Sequence, residues 1–200
     1  MTKKVREGMW IYIAPGIKAT LKDGVPLARD ERSGTDLHLT SIEDKIIIYE
    51  RQVKEWFLDI ANNLKSNDAG FVVLMVATSY IESVQQNYEG ESSRRDSKAC
   101  FVRGFKRIVD SNTDDVNIEA FYDQVRNGLF HDGMTKGKVI IKTHDSIAVD
   151  FSDPDIIQID PALLIKQIYS DFEDYIIKLN DINKTDLREN FSRSFCNVNN

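Results

Sequence analysis

The sequence contains little of what defines several large protein classes. Two cysteines, Cys100 and Cys196, occur among 200 residues, and their separation matches no paired metal or redox motif. A disulfide framework is therefore not indicated, and reduced thiols in a cytoplasmic protein are the expectation. The most apolar run, FVVLMVA at 71–77, is far shorter than the ~20 residues that span a bilayer, so no membrane partner is expected.

A strong excess of positive charge is also missing. The formal net charge is −6, which excludes a generally basic nucleic-acid coat but leaves room for a local basic groove. The charged start, MTKKVREGMWIYIAPG, has a short apolar stretch broken by Pro15 and makes a poor signal peptide. With 42% hydrophobic and 29% charged residues, the chain is typical of one globular domain with an arm.

Helical periodicity dominates from residue 41 onward. Residues 1–40 are rich in Gly, Pro and charge and predict an extended or irregular N-terminal arm, with one strand at MWIYIA (9–14). In the first helix Ile46, Tyr49, Val53, Trp56 and Ile60 recur on one face. The helices are predicted at about 41–65, 69–88, 96–110, 116–131 and 161–181.

A short β element is predicted before the last helix. KVIIK (138–142) and IAVDF (147–151) indicate a hairpin, with its turn at 143–146, and IIQI (156–159) extends it. The polar residues 182–200 are expected to fray. The predicted fold is therefore mainly α: a bundle of four to five helices over 41–181, with a hairpin at about 138–151 inserted before the last helix.

The stretch VRNGLFHDGM at 125–134 ends the fourth predicted helix. At about 100° per residue, the apolar residues of this helix share one stripe, and Asn127 and His131 point away from it as neighbours. Arg126 lies about 140° from His131 in this geometry, so one helix cannot easily aim both at one phosphate. Two copies related by a two-fold axis would solve that problem. Phe130 lies off the stripe, where a dimer contact or a substrate platform would need an aromatic.

Three interpretations of His131 remain open on these residues alone. It is a solvated helix-end histidine favoured by the helix dipole, a structural interface residue, or part of an active site. The chemistry of the third suits RNA. Histidine exchanges protons near neutral pH, and the planar arginine fork matches phosphate oxygens.

Arg126-Asn127-Gly128-Leu129-Phe130-His131 resembles the Arg-polar-x(3–5)-His motif of the HEPN superfamily, and VRNGLFHDGMTKGKVII is similar to a bacterial subgroup with a hairpin after the motif. The resemblance covers roughly 40–181 and implies an all-helical homodimer. It further implies a metal-independent, cofactor-free endoribonuclease in toxin–antitoxin or phage defence. The implied products carry 2′,3′-cyclic phosphate ends, and the implied partner is an antitoxin or another regulatory protein. The implied catalytic residues are Arg126, Asn127 and His131.

A basic segment precedes the motif helix. RRDSKACFVRGFKR (94–107) holds six basic residues and one acid and is a candidate for gripping an RNA backbone. The alternative is an ordinary solvated face. The candidate RNA-binding residues are Arg94, Arg95, Lys98, Arg103, Lys106, Arg107, Lys136 and Lys138. No metal-binding pattern occurs.

A second function stays open beside the ribonuclease. It is a non-catalytic HEPN-like dimer that binds a protein partner or a nucleotide, and the acidic composition is compatible with it.

Overall fold

The computed structural model describes residues 7–65, 68–143 and 146–197. Some of its helices start at side-chain caps: the Ser41 hydroxyl accepts the Asp44 N–H at 3.2 Å, and the Asp160 carboxylate caps the helix that begins with Pro161. Within these ranges the α-helices are α1 (Ile42–Val53), α2 (Asp59–Leu64), α3 (Gly70–Glu89), α4 (Ser97–Ile108), α5 (Asp115–Phe121), α6 (Pro161–Asn180) and α7 (Thr185–Asn197). None of them is long and apolar enough to cross a bilayer.

Three π-helical turns, in which hydrogen bonds join residues five positions apart, interrupt the helical stretches of the described residues. They are π1 (Lys54–Leu58) between α1 and α2, then π2 (Tyr122–Arg126) and π3 (Gly128–Asp132) after α5. The five predicted helices are confirmed as helical segments with nearly the expected limits.

The prediction of a mainly α bundle is wrong, because the described residues also form two β-sheets. The strands are β1 (Ile11–Ala14), β2 (Ile17–Lys22), β3 (Val25–Asp30), β4 (Asp36–Leu37), β5 (Val139–Ile141), β6 (Val149–Asp153) and β7 (Ile156–Ile159). The first sheet is antiparallel with strand order β1-β2-β3-β4, and the second has the order β5-β7-β6. The protein is a mixed α/β structure.

The described residues of the predicted extended or irregular arm form the N-terminal sheet, and β1 lies within the strand predicted at 9–14. β2 and β3 pair in register from Ile17↔Asp30 to Lys22↔Val25, around Asp23-Gly24, both of which have positive φ. An Asp-Gly pair in this conformation is the preferred connection of a two-residue hairpin. The inward face of the sheet, including Ile17 and Ala28, packs on Ile48 of α1 in a small core of its own.

The predicted hairpin of residues 138–151 is also wrong in its pairing. β7 lies between the other two strands, parallel to β5 and antiparallel to β6, so β5 and β6 do not pair with each other. Two of its four residues, Ile157 and Ile159, are buried, which explains its central position. The predicted turn includes residues 144–145, which lie outside the described residues.

The main core surrounds α3, which packs against α4, α6 and α7. Helix α7 corrects the expectation of a frayed tail at 182–200, because its Phe191 is fully buried against Tyr49 with ring centroids 5.2 Å apart. The Asn190 amide adds a hydrogen bond to the Tyr88 carbonyl at 2.8 Å.

The π1 turn changes which residues of the first helical segment face inward. Ile46 and Tyr49 are buried as predicted, but Trp56 and Ile60 are 41% and 51% exposed, while Leu58 and Ala61 are fully buried. A π turn holds more residues than an α turn, so the inward stripe shifts after it. The inward placement predicted for Trp56 and Ile60 is therefore wrong, and apolar side chains lie on the surface.

Candidate functional site

The Arg126–His131 motif lies at the C-terminal end of the α5–π2–π3 helical segment. Before it, Ile118, Phe121 and Val125 are fully buried, and Leu129 within it is nearly so. The predicted inward stripe is thus confirmed. Gly133, with φ +74°, ends the segment in the left-handed conformation typical of a helix C-terminus.

The π-helical turns alter the predicted geometry of the motif. The expected separation of about 140° between Arg126 and His131 assumes a regular α-helix. The segment is π-helical over Tyr122–Arg126 and Gly128–Asp132, where hydrogen bonds join positions five apart. Arg126 and His131 are five positions apart, so the wider turns bring their directions closer together. The regular-helix angle of about 140° therefore does not apply to this segment.

Arg126 contacts four side chains. Its Nη2 donates to Glu82 Oε2 at 3.1 Å, and its Nη1 donates to the Asn127 side-chain oxygen at 3.3 Å. The guanidinium carbon lies 5.3 Å from the Tyr122 ring centroid and 5.1 Å from that of Phe130. Burial raises the pKa of Tyr122 and keeps its phenol neutral. The arginine keeps about a quarter of its side chain exposed, so solvent and ligands reach it.

Asn127 is held by the side chains around it. Its amide nitrogen donates to Asp123 Oδ1 at 3.1 Å while its oxygen accepts from Arg126. Lys98 donates to Asp123 Oδ2 at 2.8 Å, and this bond raises the pKa of the Lys98 ammonium. Asn127 therefore orients the arginine, and among the described residues no hydrogen bond joins it to His131.

His131 is exposed and makes no hydrogen bond or ion pair with any described residue. Its neighbour Phe130 is 44% exposed. Both placements match the predicted outward face. The imidazole is available to a ligand, but no second side chain of the described chain fixes its tautomer or orientation.

The eight predicted RNA-binding residues divide into two groups. Four belong to segments that contact the motif region. Arg94 and Arg95 directly follow Ser93, whose hydroxyl donates to Glu82 Oε1 at 2.7 Å. Lys98 bonds to Asp123, and the Lys136 N–H donates to the Gln124 carbonyl at 2.9 Å. The side chains of Arg94, Arg95 and Lys136 make no ion pair with described residues.

The other four are paired elsewhere. Arg103 binds Glu89, Lys106 binds Asp115, Arg107 binds Asp171 and Lys138 binds Asp155. Because each contacts an acid, these four cations contribute less net field than the run in the sequence indicates. Lys98 is likewise paired, with Asp123, so the predicted basic face contracts to Arg94, Arg95 and Lys136.

An apolar groove of about 440 Å³ opens beside the motif. Phe57 of π1, Met75 of α3 and Phe130 are exposed along it, and serines 79 and 83 also line it. Phe71 and Val72 of α3 and Trp56 and Ile60 of the first helical segment expose further apolar surface on the same helices. Exposed apolar residues grouped around a groove are typical of a protein–protein contact.

Sequence reasoning left three residues out of this site: Glu82, Ser93 and Asp123. Glu82 carried a usable signal, because it is the one charged residue in the apolar run 71–84, and a buried charge needs a partner. No group of three or more His, Cys, Asp or Glu side chains able to hold a metal ion occurs within 7–65, 68–143 and 146–197. Comparison of the chain with protein-family models, curated proteins and solved structures gives no match.

Proposed function

We propose that the chain is a metal-independent endoribonuclease of the HEPN type that acts as a homodimer. The observation that carries this proposal is the motif end of the α5–π2–π3 segment. There a fixed, partly exposed arginine lies five residues before an exposed histidine. Within the part of the chain that the structure describes, this histidine makes no hydrogen bond or ion pair, and the nearby segments carry Arg94, Arg95 and Lys136, which make no ion pair there either. The resemblance of Arg126-Asn127…His131 to the HEPN motif supports the same reading.

The reaction is transesterification at a phosphodiester. The ribose 2′-oxygen attacks phosphorus and loses its proton, the bond from phosphorus to the 5′-oxygen breaks, and that oxygen takes up a proton. The products are a 2′,3′-cyclic phosphate and a 5′-hydroxyl. His131 transfers protons as general base or acid. Arg126 stabilises the charge that develops on the phosphorane oxygens, and Asn127 orients Arg126.

The homodimer rests on the apolar groove. Phe130 belongs both to the motif and to the groove, so a second copy that covers the groove lies against the motif. In a two-fold contact the same surface serves both subunits. Two motifs then share one cleft, which excludes water and strengthens the pull of arginine on phosphate. We assign Phe130 to this interface.

RNA cleavage in EDTA tests the catalytic proposal. Purified protein incubated with a mixed-sequence RNA and excess EDTA is expected to produce 2′,3′-cyclic phosphate ends, identified by mass spectrometry. Removing the proton-transfer group in His131→Ala should lower the rate by about 100-fold or more. The matched control is His38→Ala, an exposed histidine outside the site, which should cleave at the wild-type rate.

Two results would contradict the proposal. Equal cleavage by wild type and His131→Ala would assign the activity to a contaminant or to another site. A strictly monomeric wild-type protein in sedimentation velocity would remove the dimer.

The setting proposed is a cytoplasmic toxin–antitoxin or phage-defence system, with RNA as substrate and an antitoxin as a further partner. Expression of the wild type should arrest growth, and Arg126→Ala should relieve the arrest.

Two observations favour a second candidate, a non-catalytic dimer that binds a nucleotide or a protein. The positive charge of Arg126 is already balanced by Glu82, and no described side chain orients His131. Such a module would bind RNA or a nucleotide in the presence of EDTA, with a dissociation constant that His131→Ala leaves unchanged, and would give no cleavage products.

A further inference from the structure

Glu82 is buried on the central helix and is bonded through both carboxylate oxygens. The residue is 9% exposed. Oε2 accepts from Arg126 at 3.1 Å and Oε1 accepts from the Ser93 hydroxyl at 2.7 Å. A carboxylate removed from water costs several kcal/mol unless charged and polar partners compensate. Glu82 therefore depends on Arg126 and Ser93 for its stability in the buried position, and its carboxylate in turn holds these two side chains in place.

The bond to Glu82 leaves Arg126 able to bind a phosphate. A guanidinium carries five N–H groups, and those of Arg126 make two hydrogen bonds within the described chain, one from Nη1 and one from Nη2. The Tyr122 and Phe130 rings lie close to the same group. An arginine held in this way loses little rotamer freedom when a phosphate arrives, and that saving favours binding in a defined geometry.

The bond from Ser93 to Glu82 also restricts the segment that carries two more cations. Ser93 is anchored a second time, because its N–H donates to the Gln86 side-chain oxygen at 3.1 Å. Arg94 and Arg95 follow directly in the chain, are exposed and make no ion pair with described residues. Through Ser93, one carboxylate therefore connects the motif arginine to the segment that carries this pair.

We propose that Glu82 is a positioning residue. It aligns Arg126 at the phosphate that reacts and, through Ser93, sets Arg94 and Arg95 for neighbouring phosphates of the RNA strand. The inference rests on the proposed ribonuclease function and adds to it the group that organises its arginines. Glu82 does not touch the reacting atoms itself.

The chain offers a matched control on the same helix. Glu89 of α3 also pairs with an arginine, Arg103, through bonds of 2.6 and 2.9 Å, but Arg103 lies outside the motif network. Glu82→Gln and Glu89→Gln each replace a carboxylate by an amide of the same shape and break one Glu–Arg pair of helix α3. A general loss of helix stability affects both variants, whereas misalignment of Arg126 affects only the first.

Steady-state cleavage of an RNA oligonucleotide separates alignment of Arg126 at the reacting phosphate from binding of neighbouring phosphates. Glu82→Gln should lower kcat by about 10- to 100-fold, because misplaced transition-state groups cost up to ~10² in rate, while KM changes less than about 3-fold. Ser93→Ala should raise KM several-fold with a smaller effect on kcat, because it releases the arginines that bind neighbouring phosphates. Glu89→Gln should stay within about 2-fold of wild type in both. An unchanged kcat in folded Glu82→Gln overturns the proposal.

If the wild type does not cleave RNA, the proposed function is overturned but the positioning role of Glu82 is not. A second measurement tests that role directly. The Arg126 side-chain N–H signals in NMR, assigned with Arg126→Lys, should be shifted and slowly exchanging in wild type. They should move to the position of a free arginine in Glu82→Gln. Signals that stay unchanged overturn the positioning role. If Glu82→Gln does not fold, Glu82→Asp replaces it, with the same signals and the same opposing outcomes.

Discussion

Gly128 lies inside the motif at a point where the chain passes close to itself. A Cβ built there would be 2.6 Å from the Met134 carbonyl oxygen and 3.2 Å from the Lys136 nitrogen. The returning segment is also held by the Lys136 N–H, which bonds to Gln124. Glycine thus allows residues 134–136 to pack directly on the motif, so this residue of the motif has a packing role.

Gly128→Ala should therefore destabilise the fold. Forcing a methyl group against backbone atoms costs about 1–3 kcal/mol, measured as a lower free energy of unfolding in urea. Gly137→Ala is the matched control, because a Cβ at Gly137 meets nothing within 4 Å, and it should be neutral within about 0.5 kcal/mol. Equal stability of the two variants would contradict the close approach.

For individual residues, the sequence predicts which side chains face outward better than it predicts which residues they contact. The exposed positions of Phe130 and His131 follow from helical periodicity, which a local pattern contains. The bond from Arg126 to Glu82 joins residues 44 positions apart. Such a contact depends on how α3 packs against the motif segment, and a local sequence pattern does not predict that packing.

Among the elements, α7 shows how a segment rich in polar residues forms a docked helix. Residues 182–200 have many polar side chains, yet Phe191 is fully buried and Leu187 and Phe195 pack against the core, so three apolar residues at helical spacing suffice to dock the helix. The N-terminal hairpin was missed for a different reason. Asp23-Gly24 is a two-residue turn signal, but the general richness of residues 1–40 in Gly, Pro and charge, on which the predicted arm rests, does not distinguish this pair.

Docking of α7 should contribute to global stability. Phe191→Ala removes a fully buried ring and should lower the free energy of unfolding by about 3 kcal/mol or more, seen as a lower urea midpoint by circular dichroism. Ile182→Ala, at a 74% exposed position before the helix, should change it by less than about 0.5 kcal/mol. A Phe191→Ala midpoint equal to wild type would mean that α7 adds nothing to the fold.

In the whole molecule, α1 belongs to two cores at once. Ile46 and Tyr49 pack in the main core around α3, while Ile48, between them in sequence, packs under the N-terminal sheet. Phe195 of α7 contacts both cores. The sheet is therefore an integral layer of the protein, and the periodicity of α1 alone could not predict it, because a helix shared between two cores has apolar residues on two faces.

The sheet and α1 are also joined by a buried ion pair. Asp30, 3% exposed at the end of β3, accepts bonds of 2.7 Å from both terminal nitrogens of Arg51. Arg51, with the Arg32 N–H and the Ser33 hydroxyl, holds the pKa of the Asp30 carboxyl well below its usual value. Removing one member of a buried pair leaves the other uncompensated and costs about 3–5 kcal/mol.

Asp30→Ala should therefore lower the free energy of unfolding by roughly 3 kcal/mol at pH 7. Because the folded-state pKa is depressed, the contribution is fully present above the unfolded-state pKa of about 3.9 and is lost as pH falls below it towards the folded-state value. Urea titrations at pH 7 and pH 3 should show the gap between wild type and variant narrowing at the lower pH. The control is Asp36→Ala, whose partner Arg29 is about half exposed, with an expected cost of at most about 1 kcal/mol at pH 7. Two results would contradict the joining role of this pair. One is a loss of unfolding free energy in Asp30→Ala at pH 7 that is as small as in the control. The other is a difference between wild type and Asp30→Ala that is larger at pH 3 than at pH 7.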